Sequence, residues 1–327
     1  MKTVIRTLSA ALVAATALGA IGVSAQDYPS QPVTIVVPFS AGGPTDTVTR
    51  LVAAAMSDEL GQQVVVQNVG GAGGTLGAGQ VAAAAPDGYT LLLHHIGMST
   101  APALYASLPY DPLTDFATIG LVTEVPMTVV ARRDFEPTNL EDLIAYIKEN
   151  GENITYANAG IGAASQLCGL LIMDALDTKM TEVPYQGTGP AMTDLLGGQI
   201  DMMCDQTTNT TSQIHAGEIK AYAVTTPERI AVLPDLPTLD EGGIDNFNLS
   251  IWHGLYAPAG TDPAIVERLT AALQVALANE KVGTSFAELG TYPVPADQAT
   301  PAALSAMLEG QIALWKEVIS AAGVSAQ

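Results

Sequence analysis

The sequence predicts an α/β protein made of two lobes, and three observations support this fold class. Short apolar runs of strand length alternate with helical segments, which is the pattern of a mostly parallel sheet flanked by helices. This pattern occurs in two separate sets along the chain. The chain has 327 residues, more than one hydrophobic core usually supports. We therefore expect a mostly parallel sheet flanked by helices in each lobe.

The first set begins with an apolar run at residues 33–37, which reads as a buried strand and stops at Pro38. A helix should start near Pro44, because proline suits the first helical position. Asp46 then lies in the first turn, where the helix dipole favours an acid. The other elements of this set are a strand at 64–66, a glycine-rich segment at 70–79, an alanine-rich helix ending at 85, a turn at 87–88 and a strand at 89–93.

The second set repeats the order of strand, glycine loop and helix. Its predicted elements are a helix at 140–148, a strand at 154–157, a helix at 166–176, a short strand at 183–184, a helix at 190–196 and strands at 200–203 and 221–224. A strand at 254–257 and helices at 263–278 and 302–320 follow, and we expect them to return to the first lobe. The chain would then cross between lobes near 129–132 and 249–253, with lobe 1 at 26–130 plus 254–327 and lobe 2 at 131–253.

Residues 1–25 have the pattern of a secretory signal peptide. Lys2 and Arg6 precede an apolar stretch that ends in small residues at Val23 and Ala25, so cleavage is expected after Ala25. A membrane-spanning anchor would need about 20 apolar residues, whereas Thr, Ser and Gly interrupt this segment. The residue directly after the expected cleavage site is Gln26 rather than cysteine, so no lipid anchor is expected. The protein is predicted to act outside the cytoplasm.

The chain is strongly acidic, with 12 basic and 33 acidic residues and a net charge of −21. Loss of Lys2 and Arg6 with the signal segment would leave 10 basic residues and a charge of −23. Nucleic acid and anionic lipid are excluded as expected partners, because both require a basic surface. An anionic small molecule remains possible, since local hydrogen-bond donors can bind it whatever the total charge.

Cys168 and Cys204 are the two cysteines of the chain. An exported protein matures where thiols oxidise, so a disulfide between them is the preferred interpretation. Cysteine is also common in protein cores, and two separate buried thiols are the alternative.

Two glycine-containing loops, 40–45 and 159–165, each lie between a strand and a helix. Ligands of open α/β sheets bind beyond the carboxyl ends of the strands, where backbone amides and helix N-termini are exposed. Two such loops facing each other could bind a carboxylate without a cationic side chain. The alternative is that each loop is only a short connection with a helix cap.

Asp46 could pair with Arg50 on one helix face or face the cleft and bind an amine or hydroxyl.

The sequence gives no positive signal for an enzyme, a cofactor or a metal. The glycine-rich run lacks the dinucleotide-binding spacing, because Leu76 occupies the third glycine position. His94 and His95 should point to opposite faces of a strand and could not share a metal ion, although His95 could reach the cleft. No metal-binding histidine pair, nucleophile elbow or reactive-cysteine context is found.

Several segments together resemble the tripartite tricarboxylate transporter substrate-binding proteins, known as the TctC or Bug family of bacterial periplasmic receptors. They run in order over most of the chain: PFSAGGPTDTVTRLVA, NVGGAGGTLGAGQVAAAAPDGYTLLL, LPYDPLTDF, YANAGIGAASQLCG, VPYQGTGPAMTDLLGGQIDMMCDQ and VLPDLPTLDEGG. Each segment is weak alone, and the ordered set is highly specific. Gln166 and Ala164 depart from the family pattern, which often has His and a polar residue there.

The resemblance implies a Venus-flytrap fold of two α/β lobes, like other periplasmic binding proteins, and a disulfide between Cys168 and Cys204. It also implies that backbone amides of the loops 39–46 and 159–165 hold one carboxylate of the ligand, while 95–99 and 205–207 line the rest of the pocket. The expected ligand-binding residues are Phe39, Ser40, Ala41, Gly43, Thr45, Asp46, His95, Met98, Ala159, Gly160, Gly162, Ala163, Ser165 and Asp205.

The function implied is capture in the periplasm of a small organic acid, either a di- or tricarboxylate or an aromatic carboxylate. The protein, expected to be a monomer, would deliver it to the transmembrane permease subunits of a tripartite tricarboxylate transporter. One alternative is a periplasmic subunit that signals ligand binding to a membrane kinase or chemoreceptor. A periplasmic hydrolase is a further alternative, which the missing catalytic motifs disfavour.

Overall fold

A computed structural model describes the backbone of residues 28–322 and the side chains of 28–320. The expected signal segment, residues 1–25, lies outside the described residues. The strands are β1 (Val33–Val37), β2 (Val64–Asn68), β3 (Thr90–His95), β4 (Phe116–Arg132), β5 (Thr155–Asn158), β6 (Thr181–Pro184), β7 (Met202–Gln206), β8 (Ile219–Val224), β9 (Ser250–Pro258) and β10 (Tyr292–Pro293). The helices are α1 (Pro44–Leu60), α2 (Thr75–Ala82), α3 (Gly97–Leu104), α4 (Leu140–Asn150), α5 (Ala164–Ala175), α6 (Thr188–Leu196), α7 (Thr207–His215), α8 (Pro263–Leu277), α9 (Glu280–Glu288) and α10 (Pro301–Ala322).

The strands form one continuous α/β sheet with the order β2-β1-β3-β9-β4-β7-β5-β6, and β8 and β10 also pair with β4. The strands β1, β2 and β3 are parallel, as are β5, β6 and β7. All pairings of β4 and β9 are antiparallel. The predicted two-lobed α/β fold with a parallel set of strands in each lobe is confirmed. The sheet as a whole is mixed, because β4 and β9 run against their neighbours.

The strand β4 belongs to both lobes. Its first part, residues 116–126, pairs with β9, and residues 127–132 pair with β7 and β8. We call the elements β1–β3, β9, β10, α1–α3 and α8–α10 the first lobe, and β5–β8 with α4–α7 the second lobe. The helices of the C-terminal part pack on the first lobe, α8 against α1 and α10 against α3.

Thr225 connects the two segments that cross between the lobes. Its hydroxyl accepts a 3.0 Å hydrogen bond from the amide of Met127 and donates a 2.6 Å bond to the carbonyl of Leu249. Its own backbone also bonds to Met127 and Leu249. One buried threonine therefore holds both crossings together.

Both faces of β1 and β3 are buried, as expected for strands covered by helices on each side. Successive residues of β1 face opposite sides: Ile35 packs with α1 and α8 residues such as Val52 and Leu269. Val36 lies in the core on the other face, which includes Ala78 and Leu92. The carboxyl end of β1 is thereby fixed in space, and the loop that follows it is held on a rigid base.

Cys168 of α5 and Cys204 of β7 form a disulfide, with their Cα atoms 6.1 Å apart. The preferred prediction is confirmed, and the alternative of two separate thiols is wrong.

Across residues 28–322, no helix combines the length and the apolar character that crossing a membrane requires.

Candidate ligand-binding site

The loop between β1 and α1 is shaped by Asp46, which folds back onto it. Gly42 has a φ of +78°, and its amide donates a 2.9 Å hydrogen bond to Asp46 Oδ2. The same oxygen accepts from Arg50 Nε at 2.9 Å, and Oδ1 accepts from Asn68 Nδ2 at 3.0 Å. Burial alone would raise the pKa of Asp46, but these hydrogen bonds lower it below its ordinary value. Asp46 therefore supports the loop and is paired with Arg50.

The loop between β5 and α5 is held by short-range hydrogen bonds. Gly160 and Gly162 have φ values of +97° and +81°, which glycine adopts without strain. Asn158 Oδ1 accepts from the amide of Gly160, and Ser165 Oγ accepts from the amide of Ala159, both at 2.9 Å. These bonds orient the loop so that α5 begins at the space between the lobes.

A cavity lies between the lobes, and its internal volume in this closed form is about 10 Å³, enough for about one water molecule. A larger ligand therefore enters only when the lobes move apart. The residues that line this central cavity are Phe39, Gly43, Pro44, Thr45, His95, Ala159, Ala164, Ser165, Thr188, Asp205 and Gln206.

Four helices begin at the central cavity. Its lining includes Pro44 and Thr45 from the first turn of α1, Ala164 and Ser165 from α5, and Thr188 from α6, and the N-cap of α7 completes it. First-turn amides have no acceptor within their own helix. Among residues 28–320, the amides of Thr45, Ala164 and Ser165 have no hydrogen-bond partner. No Lys or Arg lines the cavity, so the positive potential there comes from the helix ends.

Asp205, at the end of β7, is the one acidic side chain of the lining. Its Oδ1 accepts from Thr188 Oγ1 at 3.0 Å, and its Oδ2 accepts from Asn209 Nδ2 at 2.6 Å. Burial raises the pKa of Asp205 to about 6, although these hydrogen bonds act in the opposite direction. The next residue, Gln206, is also buried and lines the cavity.

His95 lines the cavity, stacked on Phe39 with ring centroids 4.6 Å apart. His95 Nδ1 accepts a 3.0 Å hydrogen bond from the amide of Gly97, so a neutral ring carries its proton on Nε2, which is then a donor. The His94 ring lies 5.0 Å away and also contacts Phe39. The expectation that the two rings point to opposite faces is wrong, because β3 ends at His95 and the chain turns into α3.

His253 completes a group of three buried histidines behind the cavity wall. Its Nδ1 lies 3.2 Å from the carbonyl of Ile251 and its Nε2 lies 3.3 Å from Thr45 Oγ1. Nδ1 therefore donates, and Nε2 accepts from the threonine. Burial lowers the pKa of His253 and of His94 to about 3, and burial lowers that of His95 well below its ordinary value. All three rings are neutral at neutral pH.

The lobes touch each other directly around the cavity. The amide of Ser40 donates a 3.0 Å hydrogen bond to the carbonyl of Gln186 in the second lobe. Thr100 Oγ1 donates a 2.8 Å bond to the carbonyl of Gly162. A Cβ atom placed on Gly73 would lie 1.9 Å from the carbonyl oxygen of Ile161. The structure is therefore a closed form, with the two lobes in backbone contact.

Half of the predicted ligand-binding residues line the central cavity: Phe39, Gly43, Thr45, His95, Ala159, Ser165 and Asp205. The other predicted residues do not line it: Ser40, Ala41, Asp46, Met98, Gly160, Gly162 and Ala163. Ser40 and Ala41 contact the start of α6 instead, since a Cβ on Gly187 or Gly189 would collide with them. Met98 is fully buried in the core.

Asp46 and the three loop residues support the cavity from outside. Asp46 is engaged by Gly42, Arg50 and Asn68, as described above. Gly160 and Gly162 use their backbone to contact Gly73 and Thr100 of the first lobe, and Ala163 packs with Phe39.

Thr188 is the one lining residue outside the predicted residues and ranges. Pro44 and Ala164 lie within the predicted loops 39–46 and 159–165, and Gln206 lies within the predicted range 205–207. The start of α6 supplies Thr188, and Gly187, shortly after β6, was the available signal for it.

The chain matches a family model described as the tripartite tricarboxylate transporter family receptor, TctC, over residues 48–324. It is 57% identical over 314 residues to a UPF0065 protein of Agrobacterium vitis, covering 96% of this chain and 91% of that protein. The solved structure of the periplasmic binding protein BugD is similar with a TM-score of 0.90 and 52% identity, covering 92% of this chain and 100% of that one. MatC from Rhodopseudomonas palustris with bound malate has a TM-score of 0.86 and 42% identity, covering 89% and 100%.

A mixed sheet shared by two lobes, with a small cavity closed between them, defines a periplasmic solute-binding protein. The chain belongs to the TctC family, the receptors of the tripartite tricarboxylate transporters, which are also called Bug proteins.

Proposed function

We propose that this receptor captures a small organic acid, a di- or tricarboxylate or an aromatic carboxylate, and delivers it to the transmembrane permease subunits of a tripartite tricarboxylate transporter. One carboxylate of the ligand lies between the first turns of α1 and α5. The observation that carries this proposal is the set of unpartnered amides at Thr45, Ala164 and Ser165, which face a common cavity from the two lobes.

Helix ends can hold an anion here despite the acidic chain. Each helix N-terminus favours a negative charge by about 0.3–2 kcal/mol, and most in a partly buried position. Four helices begin at the cavity, and the neutral His95 adds a side-chain donor. The malate bound to MatC supports this class of ligand.

Binding is coupled to closure of the lobes. The cavity wall comes from both lobes, so a ligand that touches both walls binds the closed form more tightly and shifts the population toward it. We place the hinge where β4 passes from β9 to β7, near residues 126–127, and where the chain enters β9, near residues 249–250, with a monomer as the functional unit. The permease would then recognise the closed, loaded form.

The first experiment is a thermal-shift screen of the exported protein, unfolded to strip bound ligand and refolded with its disulfide intact. The panel contains mono-, di- and tricarboxylates, aromatic acids, amino acids and sugars. A ligand at a hundred times its Kd adds about 2.7 kcal/mol to the free energy of unfolding, which raises the Tm visibly. Shifts confined to carboxylic acids are expected. Shifts only with sugars would refute carboxylate capture.

Delivery needs a separate test. Proteoliposomes that contain the membrane subunits of a tripartite tricarboxylate transporter from the same organism are expected to take up the labelled acid only when the loaded receptor is added. Uptake that is independent of the receptor would refute the proposed partner while leaving ligand capture intact.

A further inference from the structure

The end of β7 presents acceptors to the central cavity, in contrast to the donors at α1 and α5. Asp205 and Gln206 both line the cavity and are 1% and 2% exposed. Gln206 also carries the donor Nε2, but the Asp205 carboxylate offers a ligand carboxylate no donor and repels its charge. The wall therefore faces a different group of the ligand.

Asp205 is a buried carboxylate without a cation. No Lys, Arg or His side chain within the described residues forms an ion pair with it. Its partners are the hydroxyl of Thr188 and the amide of Asn209. A carboxylate has about four acceptor sites, so capacity remains for a further donor. A buried charge left in this state is costly unless a donor or a cation reaches it.

Gln206 supplies the second observation. Its Oε1 is buried and has no hydrogen-bond partner among residues 28–320. An unsatisfied buried acceptor costs about 1–3 kcal/mol, and native structures contain few such atoms. A ligand donor in the cavity would satisfy it together with Asp205.

We infer that the ligand carries a hydrogen-bond donor, a hydroxyl or an ammonium group, and that Asp205 and Gln206 bind it. The inference rests on the proposed capture of an organic acid and narrows the substrate class to hydroxy acids and amino acids. An unsubstituted acid leaves both acceptors unpaired, and a second carboxylate placed at this wall is repelled by Asp205.

The test compares matched acids of equal chain length by calorimetry on the full, disulfide-bonded and ligand-stripped protein. Each set contains the unsubstituted acid, its 2-hydroxy form and its 2-amino form: propionate, lactate and alanine; succinate, malate and aspartate; phenylacetate, mandelate and phenylglycine. In whichever set binds, at least one donor-bearing acid is expected to bind tenfold or more tightly than the unsubstituted acid. The hydroxy and amino members show which donor is used. Equal or tighter binding of the unsubstituted acid overturns the inference, whereas binding of no carboxylic acid refutes the proposed function itself.

Variants connect this preference to the two side chains. Asp205→Asn and Gln206→Met are each expected to reduce the ratio of affinities between the donor-bearing and the unsubstituted acid by at least fivefold. A purely structural defect lowers both affinities alike and leaves the ratio unchanged. Asp174→Asn, the same change on an exposed residue of the second lobe, is the matched control. A ratio that stays at the wild-type value in both cavity variants overturns the inference.

Discussion

The phenol oxygen of Tyr105 lies 3.0 Å from the carbonyl oxygen of Ile161, and this contact joins the first lobe to the second. The same oxygen lies 2.9 Å from the carbonyl of Ala72 in its own lobe. The described residues show only a few such polar contacts between the lobes. The closed form is therefore held by bonds that are individually weak, and a ligand can shift the balance between open and closed forms.

Tyr105→Phe is expected to weaken ligand binding by about two- to tenfold, because a typical hydrogen bond contributes about 0.5–1.5 kcal/mol. Calorimetry with the ligand from the screen measures this change. Tyr292→Phe is the control, since Tyr292 is 61% exposed. Unchanged affinity in Tyr105→Phe would show that the contact does not favour closure.

Gly73→Ala is expected to prevent closure and lower ligand affinity at least a hundredfold, because its Cβ would collide with the backbone of Ile161. Gly217→Ala introduces the same left-handed strain, with φ of +67° against +62°, in open space. Strain of this kind costs about 1–2 kcal/mol, so both variants lose some stability. Only Gly73→Ala should lose binding. Equal affinities in calorimetry would contradict the backbone contact between the lobes.

Removal of the disulfide is expected to lower the free energy of unfolding by about 3–4 kcal/mol, from the chain-entropy model applied to a separation of 36 residues. Urea denaturation of the Cys168→Ala, Cys204→Ala double variant measures this loss. Wild-type protein in reductant should show the same loss, and the double variant should be insensitive to reductant. A reductant effect on the double variant would assign the loss to something other than this bond.

Asp205 should make the ligand-free protein less stable as the pH rises from 4 to 7. Its pKa is raised to about 6 in the folded state and is about 3.9 in the unfolded chain. The folded state therefore binds more protons between these values, and the stability present below pH 4 is lost as the pH passes 6. The loss is about 3 kcal/mol, at 1.36 kcal/mol for each pKa unit. Urea denaturation of wild type and Asp205→Asn across this range should show the difference in slope. Parallel curves would contradict it.

His253 should make the protein less stable as the pH falls. Burial lowers its pKa to about 3, against about 6.5 when unfolded, so the unfolded chain binds the extra proton. Stability present above pH 6.5 is lost as the pH falls, by about 3 kcal/mol at pH 4. His253→Gln should unfold less steeply on acidification than wild type, whereas the exposed-site control His215→Gln should follow the wild-type slope. An unchanged slope in His253→Gln would show that this ring is not buried neutral.

The sequence predicted those strands and helices whose own residues favour the structure that they adopt in the fold. Apolar runs identified β1, and Pro44 marked the start of α1 where the structure has it. Helix α3 was missed because it contains Pro102, and α7 because threonine is a poor helix former. Burial of Thr208, Thr210 and Thr211 against the rest of the fold stabilises α7 instead.

The part of the candidate site that lies in loops between a strand and a helix could be predicted from the sequence. The loops after β1 and β5 were identified, because glycines between a strand and a helix are visible in the sequence. Which residues of those loops face the cavity depends on how the lobes meet, and this depends on contacts such as Gly73 with Ile161. Thr188 was missed for the same reason, since the start of α6 joins the cavity only in three dimensions.

The shared strand β4 means that neither lobe has a complete sheet by itself. A fragment ending near residue 126 would lack the continuation of β4, and an excised second lobe would expose the edges of β7 and β8 that β4 covers. Exposed strand edges promote aggregation. Any exchange of a lobe between relatives would therefore have to cut β4, whereas replacements around the cavity leave the shared sheet intact.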